Sequence, residues 1–210
     1  MALRHPSRPP APIQLYGRRL MMRPLAANDF RAWSEVRQRN DEWLTVWEPS
    51  RFKHQPDPTT DKSAFTSRCL QRDRDRVTGT AFQFGLFVGQ RIAGEVNLNN
   101  VIRGAMQSCT VGYWIDQDHA GQAYTVEGVA LVMQFAFEQL GLHRVEICIV
   151  PRNHRSRRVV EKLGIRDEGV AQRYLEINGV WEDHVRYGMT SEEWHERRAD
   201  IGHDWINRSS

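Results

Sequence analysis

Two stretches of the chain alternate apolar and other residues with a period of two, which predicts β-strands. The alternation is interrupted at Gly89-Gln90 and again at Asn178-Gly179, and such dipeptides favour tight turns between paired strands. The sequence therefore predicts two β-hairpins, the second joining residues 168–177 to 180–189. The inward positions of the first hairpin are Phe82, Phe84, Leu86, Val88, Ile92, Gly94, Val96 and Leu98.

A helical period marks the segment from Tyr124 to Leu140, where apolar residues recur three and four positions apart. This segment lies between two strand-like stretches, and a strand–helix–strand order of this kind forces a parallel crossover. Besides this helix, the predicted strands are at 18–25, 109–116 and 145–150, in addition to the two hairpins. The other predicted helices are one capped by Asn28 or Asp29, one from a cap at 59–61 to about 74 and one at 156–163, with a short helical or irregular segment around 43–47. This order predicts an α/β (α+β) fold: a mixed, mostly antiparallel sheet of six to seven strands with helices on both faces.

Composition is consistent with one folded domain. The chain has 210 residues, of which 40% are hydrophobic and 26% charged, and its net charge of +3 does not by itself indicate nucleic-acid binding. We expect a basic, proline-rich tail at 1–14, a domain at 15–194 and a polar tail at 195–210. Three scattered cysteines, together with the lack of a signal peptide or a long apolar run, favour the cytoplasm and no membrane.

The stretch from Val111 to Thr125 contains the strongest candidate for a ligand site. A strand there opens through a loop with small residues, including Gly121, onto the start of the long helix. Free backbone N–H groups and the helix dipole make such a helix start favourable for an anion. The alternative is an ordinary connection between a strand and a helix.

The loop and a second motif carry a family resemblance. Gly121 and Ala123 fit the end of the pyrophosphate-loop pattern of the GNAT superfamily of N-acetyltransferases, although Asp118 stands where Gln or Arg is usual. The run P-R-N-H-R-S-R-R-V-V-E-K-L-G-I at 151–165 is similar to the family's second coenzyme A motif. W-E-P at 47–49, the second hairpin and S-E-E-W at 191–194 resemble the RimJ-type ribosomal-protein-alanine N-acetyltransferases.

The resemblance implies direct acetyl transfer from acetyl-CoA to an amine, without a metal. It also implies that the strands at 109–116 and 145–150 splay apart and leave a cleft for coenzyme A. The cofactor-binding residues it implies are Tyr113, Trp114, Ile115, Gly121, Gln122, Ala123, Tyr124, Thr125, Asn153, Ser156 and Arg158. Val160 stands where relatives often carry a tyrosine acid, which removes that acid. Ser156 either protonates the departing thiolate or only contacts the cofactor.

Glu95 is the first candidate for the general base. It lies between small and amide residues on the opposite face of the first hairpin, although plain surface exposure would explain it equally well. Glu176 and His184 are the next candidates, and Trp47 and Glu48 join them as candidate substrate-binding residues. Tryptophans 33, 43 and 47 could line a cleft, but the core is the preferred place for each of them.

Three functions are compatible with these residues. The first is acetylation of a protein N-terminal α-amine at Ala or Ser, with a ribosomal protein as partner. The second is acetylation of a small amine such as a polyamine, an amino acid or an aminoglycoside. The third is an RNA-associated or ribosome-associated assembly factor, suggested by arginines in the tail and at 68–76 and 152–158. We expect a monomer or a homodimer.

Overall fold

An eight-stranded sheet forms the frame of the computed structural model, which describes residues 13–51 and 54–207. The strands are β1 (Leu15–Tyr16), β2 (Leu20–Arg23), β3 (Phe82–Val88), β4 (Arg91–Ile102), β5 (Ser108–Ile115), β6 (Arg144–Ile149), β7 (Arg166–Ile177) and β8 (Val180–Thr190). Their order is β1-β2-β3-β4-β5-β6-β8-β7, and β5–β6 is the parallel pair. The predicted mixed α/β fold is confirmed, with one more strand than expected because the short β1 pairs with β2.

The helices begin and end at local sequence signals. They are α1 (Phe30–Arg39), α2 (Asp41–Thr45), α3 (Lys62–Thr78), α4 (Tyr124–Gln134), α5 (His154–Lys162) and α6 (Ser191–Ile201). Asp61 caps α3 by accepting hydrogen bonds from the N–H groups of Ser63 and Ala64, and Gly79 ends it at a φ of 73°. Helix α4 continues into a π-helical turn, Phe135–Gln139, before Gly141.

Two hydrophobic cores cover the two faces of the sheet. The larger lies under α4, α5 and α6 and includes Val129, Met133 and Val160. The smaller lies under α1 and α3 and includes Trp33, Phe65 and Cys69. The long helix α4 is buried on several sides, as its broad apolar surface predicts.

A β-bulge changes the expected pattern of the first hairpin. The pairing of β3 with β4 shifts between Leu86 and Phe87. An extra residue in one strand turns the following side chains to the other face of the sheet. Ile92 therefore packs with Phe87 in the smaller core and Ala93 joins the larger one, the reverse of the predicted alternation.

The C-terminal segment differs from the polar tail expected at 195–210. Thr190 and Glu193 form a capping box that starts α6, and a π-helical turn, Gly202–Ile206, extends it. Ile201 and Ile206 are buried in the larger core, so the segment is part of the fold. Most of the tail predicted at 1–14 lies outside the described residues. No helix within 13–51 or 54–207 is long and apolar enough to cross a membrane.

Candidate active site

The sheet opens between its two parallel strands. β5 and β6 pair only at Ser108–Arg144, Cys109–Val145 and Thr110–Glu146, although β5 continues to Ile115 and β6 to Ile149. Beyond this point β5 is paired on its other side with β4, and β6 with β8. The edge of β5 that faces β6 is therefore without a strand partner, as the predicted splay requires.

The loop after β5 is fixed by a buried aspartate. The carboxylate of Asp116 accepts hydrogen bonds from Arg39 and from the side-chain amide of Asn40 at 2.7 Å, and it contacts His119 Nδ1 at 3.1 Å. Burial would raise the pKa of Asp116, but these bonds outweigh burial and hold that pKa below its ordinary value. The network attaches the loop to the end of α1.

Two residues with positive φ bring the loop to the start of α4. Gly121 has a φ of 77° and Ala123 a φ of 63°. A left-handed conformation costs a residue with a side chain roughly 1–2 kcal/mol, so Ala123 is held there by its surroundings. No side chain in the described part of the chain caps α4, and its first N–H groups remain available to an anion.

A hydrogen-bonded pair of hydroxyl groups connects β5 to α5. Ser156 Oγ donates to the Tyr113 hydroxyl at 2.9 Å, and that hydroxyl donates to the Ser156 carbonyl at 3.2 Å. Burial raises the pKa of the Tyr113 hydroxyl, which therefore remains protonated. The Asn153 side chain accepts from the Ser156 N–H at 3.1 Å and caps α5.

A cavity of about 320 Å³ lies between these elements and α2. Of the sequence-predicted site residues, Trp47, Glu48, Tyr113, Trp114, Ile115, Gly121, Ala123, Thr125, Asn153, Ser156 and Arg158 line it. Gln122 and Tyr124 do not: the Gln122 carbonyl accepts from Arg19, and the Tyr124 ring lies 4.6 Å from the Arg19 guanidinium carbon. Asp118 is exposed and does not line the cavity either, so its carboxylate does not face the expected phosphates.

Further charged and aromatic residues line the cavity, and of these Lys162 had not been considered from the sequence, whereas Arg155 belongs to the arginine cluster at 152–158 and Trp43 to the tryptophans considered for a cleft. Arg155 and Lys162 lie on α5 beside Arg158, and Trp43 lies on α2. The Trp43 indole N–H donates to the Ile115 carbonyl at 3.1 Å, so this backbone group already has a partner. Trp33 is in the core, but Trp43 and Trp47 line the cavity, contrary to the preferred interpretation. Their spacing of one helical turn was the available signal.

The structure places Glu95 away from the cavity. The side chain is fully buried and accepts hydrogen bonds from Trp33 Nε1 at 2.6 Å, Arg68 Nη2 at 2.9 Å and Arg72 Nη1 at 2.7 Å. Burial would raise the pKa of Glu95, but the charges of the two arginines outweigh burial and hold it well below its ordinary value. A general base needs a lone pair that the proton of the substrate can reach, and the fully buried Glu95 carboxylate offers none.

The bonds to Glu95 also explain where two arginines of helix α3 lie. Arg68 and Arg72 turn inward to Glu95, so this part of the arginine cluster at 68–76 is not a free basic surface. Arg72 is so well buried that burial lowers its pKa, despite its acidic partner. The cluster joins α3 to β4 and contributes to the fold.

Glu176 and His184 also lie outside the lining of the cavity. Glu176 accepts from the Ser50 N–H at 3.1 Å and from the Gly179 N–H, and these bonds lower its pKa. His184 is buried, with Nδ1 3.0 Å from the Glu182 carbonyl. The Asn178 N–H donates to the Glu48 carbonyl at 2.9 Å, so the second hairpin is attached to the chain that follows α2.

Glu48 is the one carboxylate that lines the cavity among the described residues. Its two oxygens accept from Arg37 Nη1 at 2.7 Å and Arg37 Nη2 at 2.6 Å. The cavity therefore has a cationic side, made by α5 and the start of α4, and an end with one compensated carboxylate. No three His, Cys, Asp or Glu side chains in the described ranges are placed to hold a metal ion.

These features fit acetyl-CoA. The unpaired edge of β5 suits the amide groups of a pantetheine arm, and the start of α4 with Arg155, Arg158 and Lys162 suits phosphates. The N–H groups of residues 121–125 and the α5 cations would hold the phosphates, whereas Asn153 and Ser156 line the wall between them.

Comparison with known proteins agrees with this site. Residues 19–166 match the acetyltransferase (GNAT) domain family. The chain is 30% identical to the [ribosomal protein uS5]-alanine N-acetyltransferase of Escherichia coli over 87% of this chain and 93% of that protein. It is 46% identical to the probable N-acetyltransferase YjcK of Bacillus subtilis over 49% of this chain and 58% of that protein.

A solved structure has the same fold as this chain. Mycobacterium smegmatis RimJ in complex with CoA-disulfide superposes with a TM-score of 0.80 and 28% identity, over 90% of this chain and 93% of that one. The chain therefore belongs to the GNAT family and is an acetyl-CoA-dependent N-acetyltransferase of the RimJ type.

Proposed function

We propose that the protein acetylates the α-amine of a protein N-terminus that begins with Ala or Ser, and that a ribosomal protein is the acceptor. The observation that carries this proposal is the acceptor end of the cavity, where Glu48 is the one carboxylate and Arg37 compensates its charge. A polyamine site would be expected to carry several uncompensated acids. The 30% identity to a ribosomal-protein-alanine acetyltransferase supports the same acceptor class.

The acidity of the acceptor decides how strong a base the site needs. An α-amine has a pKa near 8 and a lysine amine one of about 10.4. At neutral pH, loss of the proton costs about 1 kcal/mol for the former and about 4 to 5 kcal/mol for the latter. A single carboxylate that accepts the proton through water is sufficient for an α-amine, and Glu48 is the residue placed for this role.

The residues of the site orient the amine and the thioester and transfer the protons of the reaction. Acetyl-CoA supplies an activated acetyl thioester when it is bound. The acceptor nitrogen forms a bond to the acetyl carbonyl carbon, the carbon–sulfur bond breaks, and the sulfur leaves with the electron pair. Glu48 accepts, through water, the proton that the amine loses, and Ser156 Oγ donates a proton to the sulfur. Ser156 then takes a proton back from water and Glu48 releases its proton to water, so both groups return to their starting states. The Tyr113 hydroxyl holds Ser156 in place at 2.9 Å.

The second hairpin supports a protein as the acceptor. Leu175, Val180 and Trp181 are exposed on it, and Trp181 has 65% of its surface accessible. The turn of this hairpin binds the Glu48 carbonyl through Asn178, so these apolar side chains border the acceptor end. An exposed apolar border is typical of a surface that contacts another protein.

Thiol release from acetyl-CoA tests the proposal directly. The panel contains peptides beginning with Ala or Ser, the same peptides with a blocked N-terminus and an internal lysine, and spermidine. We expect turnover with the free α-amine peptides and none with the blocked ones. Faster turnover of spermidine or of the internal lysine than of every α-amine peptide would reject the proposed acceptor.

The RNA-associated alternative receives less support from the described arginines. Arg68 and Arg72 bind Glu95, Arg152 pairs with Glu182, and Arg157 donates to the Tyr187 hydroxyl at 3.0 Å. RNA binding that is salt-dependent and unaffected by acetyl-CoA, in a protein that turns over no amine, would favour that alternative.

A further inference from the structure

Arg37 is a largely buried cation that binds Glu48, the carboxylate at the proposed acceptor end of the cavity. Only 13% of its side chain is accessible. Its guanidinium carbon lies 5.1 Å from the centre of the Trp114 ring and 5.9 Å from that of Trp33. Its Nε is buried without a hydrogen-bond partner among the described residues, so its terminal nitrogens make its hydrogen bonds. The two indole rings and Glu48 therefore fix the plane of the group.

In the described part of the chain, this geometry leaves half of the hydrogen-bond acceptor positions of the Glu48 carboxylate without a partner. A carboxylate offers about four lone-pair positions, and a bidentate arginine occupies two of them. The other positions have no partner among the described residues, 35% of the Glu48 side chain is accessible, and the residue lines the cavity. An incoming amine can still donate a hydrogen bond to Glu48, but it meets an ion pair of zero net charge.

The other charged residues of the cavity lining also disfavour an acceptor with several positive charges. Its other charged residues are Arg155, Arg158 and Lys162, all cations. With Arg37 in place, the described lining offers no uncompensated negative charge to a second or third ammonium group. Without Arg37, Glu48 would be a free anion in a partly desolvated site, where charge interactions are stronger than in water.

We propose that Arg37 is a specificity-determining and positioning residue, which makes the site select acceptors with a single amine and reject polycations. It acts through Glu48: it holds the carboxylate toward the acceptor amine and cancels the charge that would attract a polyamine. This inference rests on the proposed function, since it explains why an α-amine is preferred to a small polycationic amine.

The chain offers a matched control for the substitution. Arg23 binds both oxygens of Asp29 at 2.7 Å, and its guanidinium carbon lies 4.3 Å from the centre of the Phe87 ring. The two pairs share bidentate geometry, an aromatic neighbour and partial burial, but the Arg23–Asp29 pair does not line the cavity. A purely structural role would give Arg37→Gln and Arg23→Gln the same consequences.

The experiment measures kcat and KM for an Ala-starting peptide and for spermidine in the wild type, Arg37→Gln, Arg37→Lys and Arg23→Gln. We expect Arg37→Gln to raise the spermidine-to-peptide ratio of kcat/KM about tenfold, which corresponds to about 1.4 kcal/mol. Arg37→Lys should keep the wild-type ratio, because the charge remains, but lower kcat, because a lysine cannot hold both oxygens. Arg23→Gln should leave the ratio unchanged.

The double variant Arg37→Gln/Glu48→Gln provides a second readout. It removes both charges, so the ratio should return toward the wild-type value. If Arg37→Gln fails to fold, Glu48→Gln alone gives the opposite test. It leaves Arg37 as an uncompensated cation, so the spermidine-to-peptide ratio of kcat/KM should fall below the wild-type value, and an unchanged ratio would overturn the inference. The inference is overturned if Arg37→Gln shifts the ratio no more than Arg23→Gln does, or if the double variant keeps the shift. The wild-type preference tests the proposed acceptor separately, because the inference depends only on how the ratio changes between variants.

Discussion

At the scale of single residues, Glu95 shows how burial and charge separate a structural carboxylate from a catalytic one. Glu95→Gln leaves two arginines facing an uncharged group in a buried site. Breaking a buried ionic cluster costs about 3–5 kcal/mol, so we expect a large loss of stability in denaturant unfolding. We also expect the pH dependence of kcat to be unchanged. A strong fall in kcat at unchanged stability would restore Glu95 as the base.

The same residue predicts the acid sensitivity of the fold. The pKa of Glu95 in the folded protein lies below the unfolded value of about 4.3. Its contribution to stability is therefore complete above that value and is lost as the pH falls below it. The free energy of unfolding should fall more steeply with decreasing pH in the wild type than in Glu95→Gln.

Substitutions can separate the role of Ser156 from that of Tyr113. Ser156→Ala removes the proposed proton donor, and we expect kcat to fall about a hundredfold while coenzyme A still binds. Tyr113→Phe removes only the hydroxyl that orients Ser156, so its effect on kcat should be smaller. Tyr187→Phe is the control, because its buried hydroxyl accepts a bond from Arg157 and does not line the cavity. Equal losses in Ser156→Ala and Tyr187→Phe would contradict the assignment.

At the scale of elements, two glycines distinguish a functional loop from an ordinary turn. Gly121 and Gly104 have φ values of 77° and 70°, and a Cβ on either would meet no atom within 4 Å. Alanine at either position should cost roughly 1–2 kcal/mol of stability, because the left-handed conformation is unfavourable. Gly121→Ala alone should raise KM for acetyl-CoA, since that loop lines the cavity. A similar KM in both variants would mean that the loop does not hold the cofactor.

Elements whose signals are local were predictable from the sequence, and contacts between distant segments were not. Asn178-Gly179 and the helical period after Tyr124 each specify their structure within a short window. The partners of Glu95 come from α1 and α3, and those of Glu48 from α1 and the second hairpin. No local pattern states which arginine meets which carboxylate. Glu95, the first candidate for the base, is therefore bound to two arginines in the structure, and Glu48, a candidate substrate-binding residue, is now the proposed base.

At the scale of the whole molecule, different elements line the cofactor side of the cavity and its proposed acceptor end. The parallel pair opens toward α4 and α5, whose start and cations suit the cofactor. The proposed acceptor end is next to the chain that follows α2, which is joined to the second hairpin by the bond from Asn178 to Glu48 and by the bond from Ser50 to Glu176. Acceptor selection can therefore change through α2 and the hairpin while the cofactor side stays the same.

The exposed border of the hairpin predicts a difference between peptide and protein acceptors. Trp181→Ala should lower kcat/KM several-fold for a folded ribosomal protein with an N-terminal Ala, because an exposed aromatic residue at an interface contributes strongly to binding. It should change kcat/KM little for a short peptide with the same first residues, which reaches Glu48 without covering the hairpin. Val77→Ala is the control, because Val77 is 73% exposed but lies on α3, away from the acceptor end. An equal loss of kcat/KM for peptide and protein would mean that Trp181 supports the structure of the cavity and is not part of a docking surface.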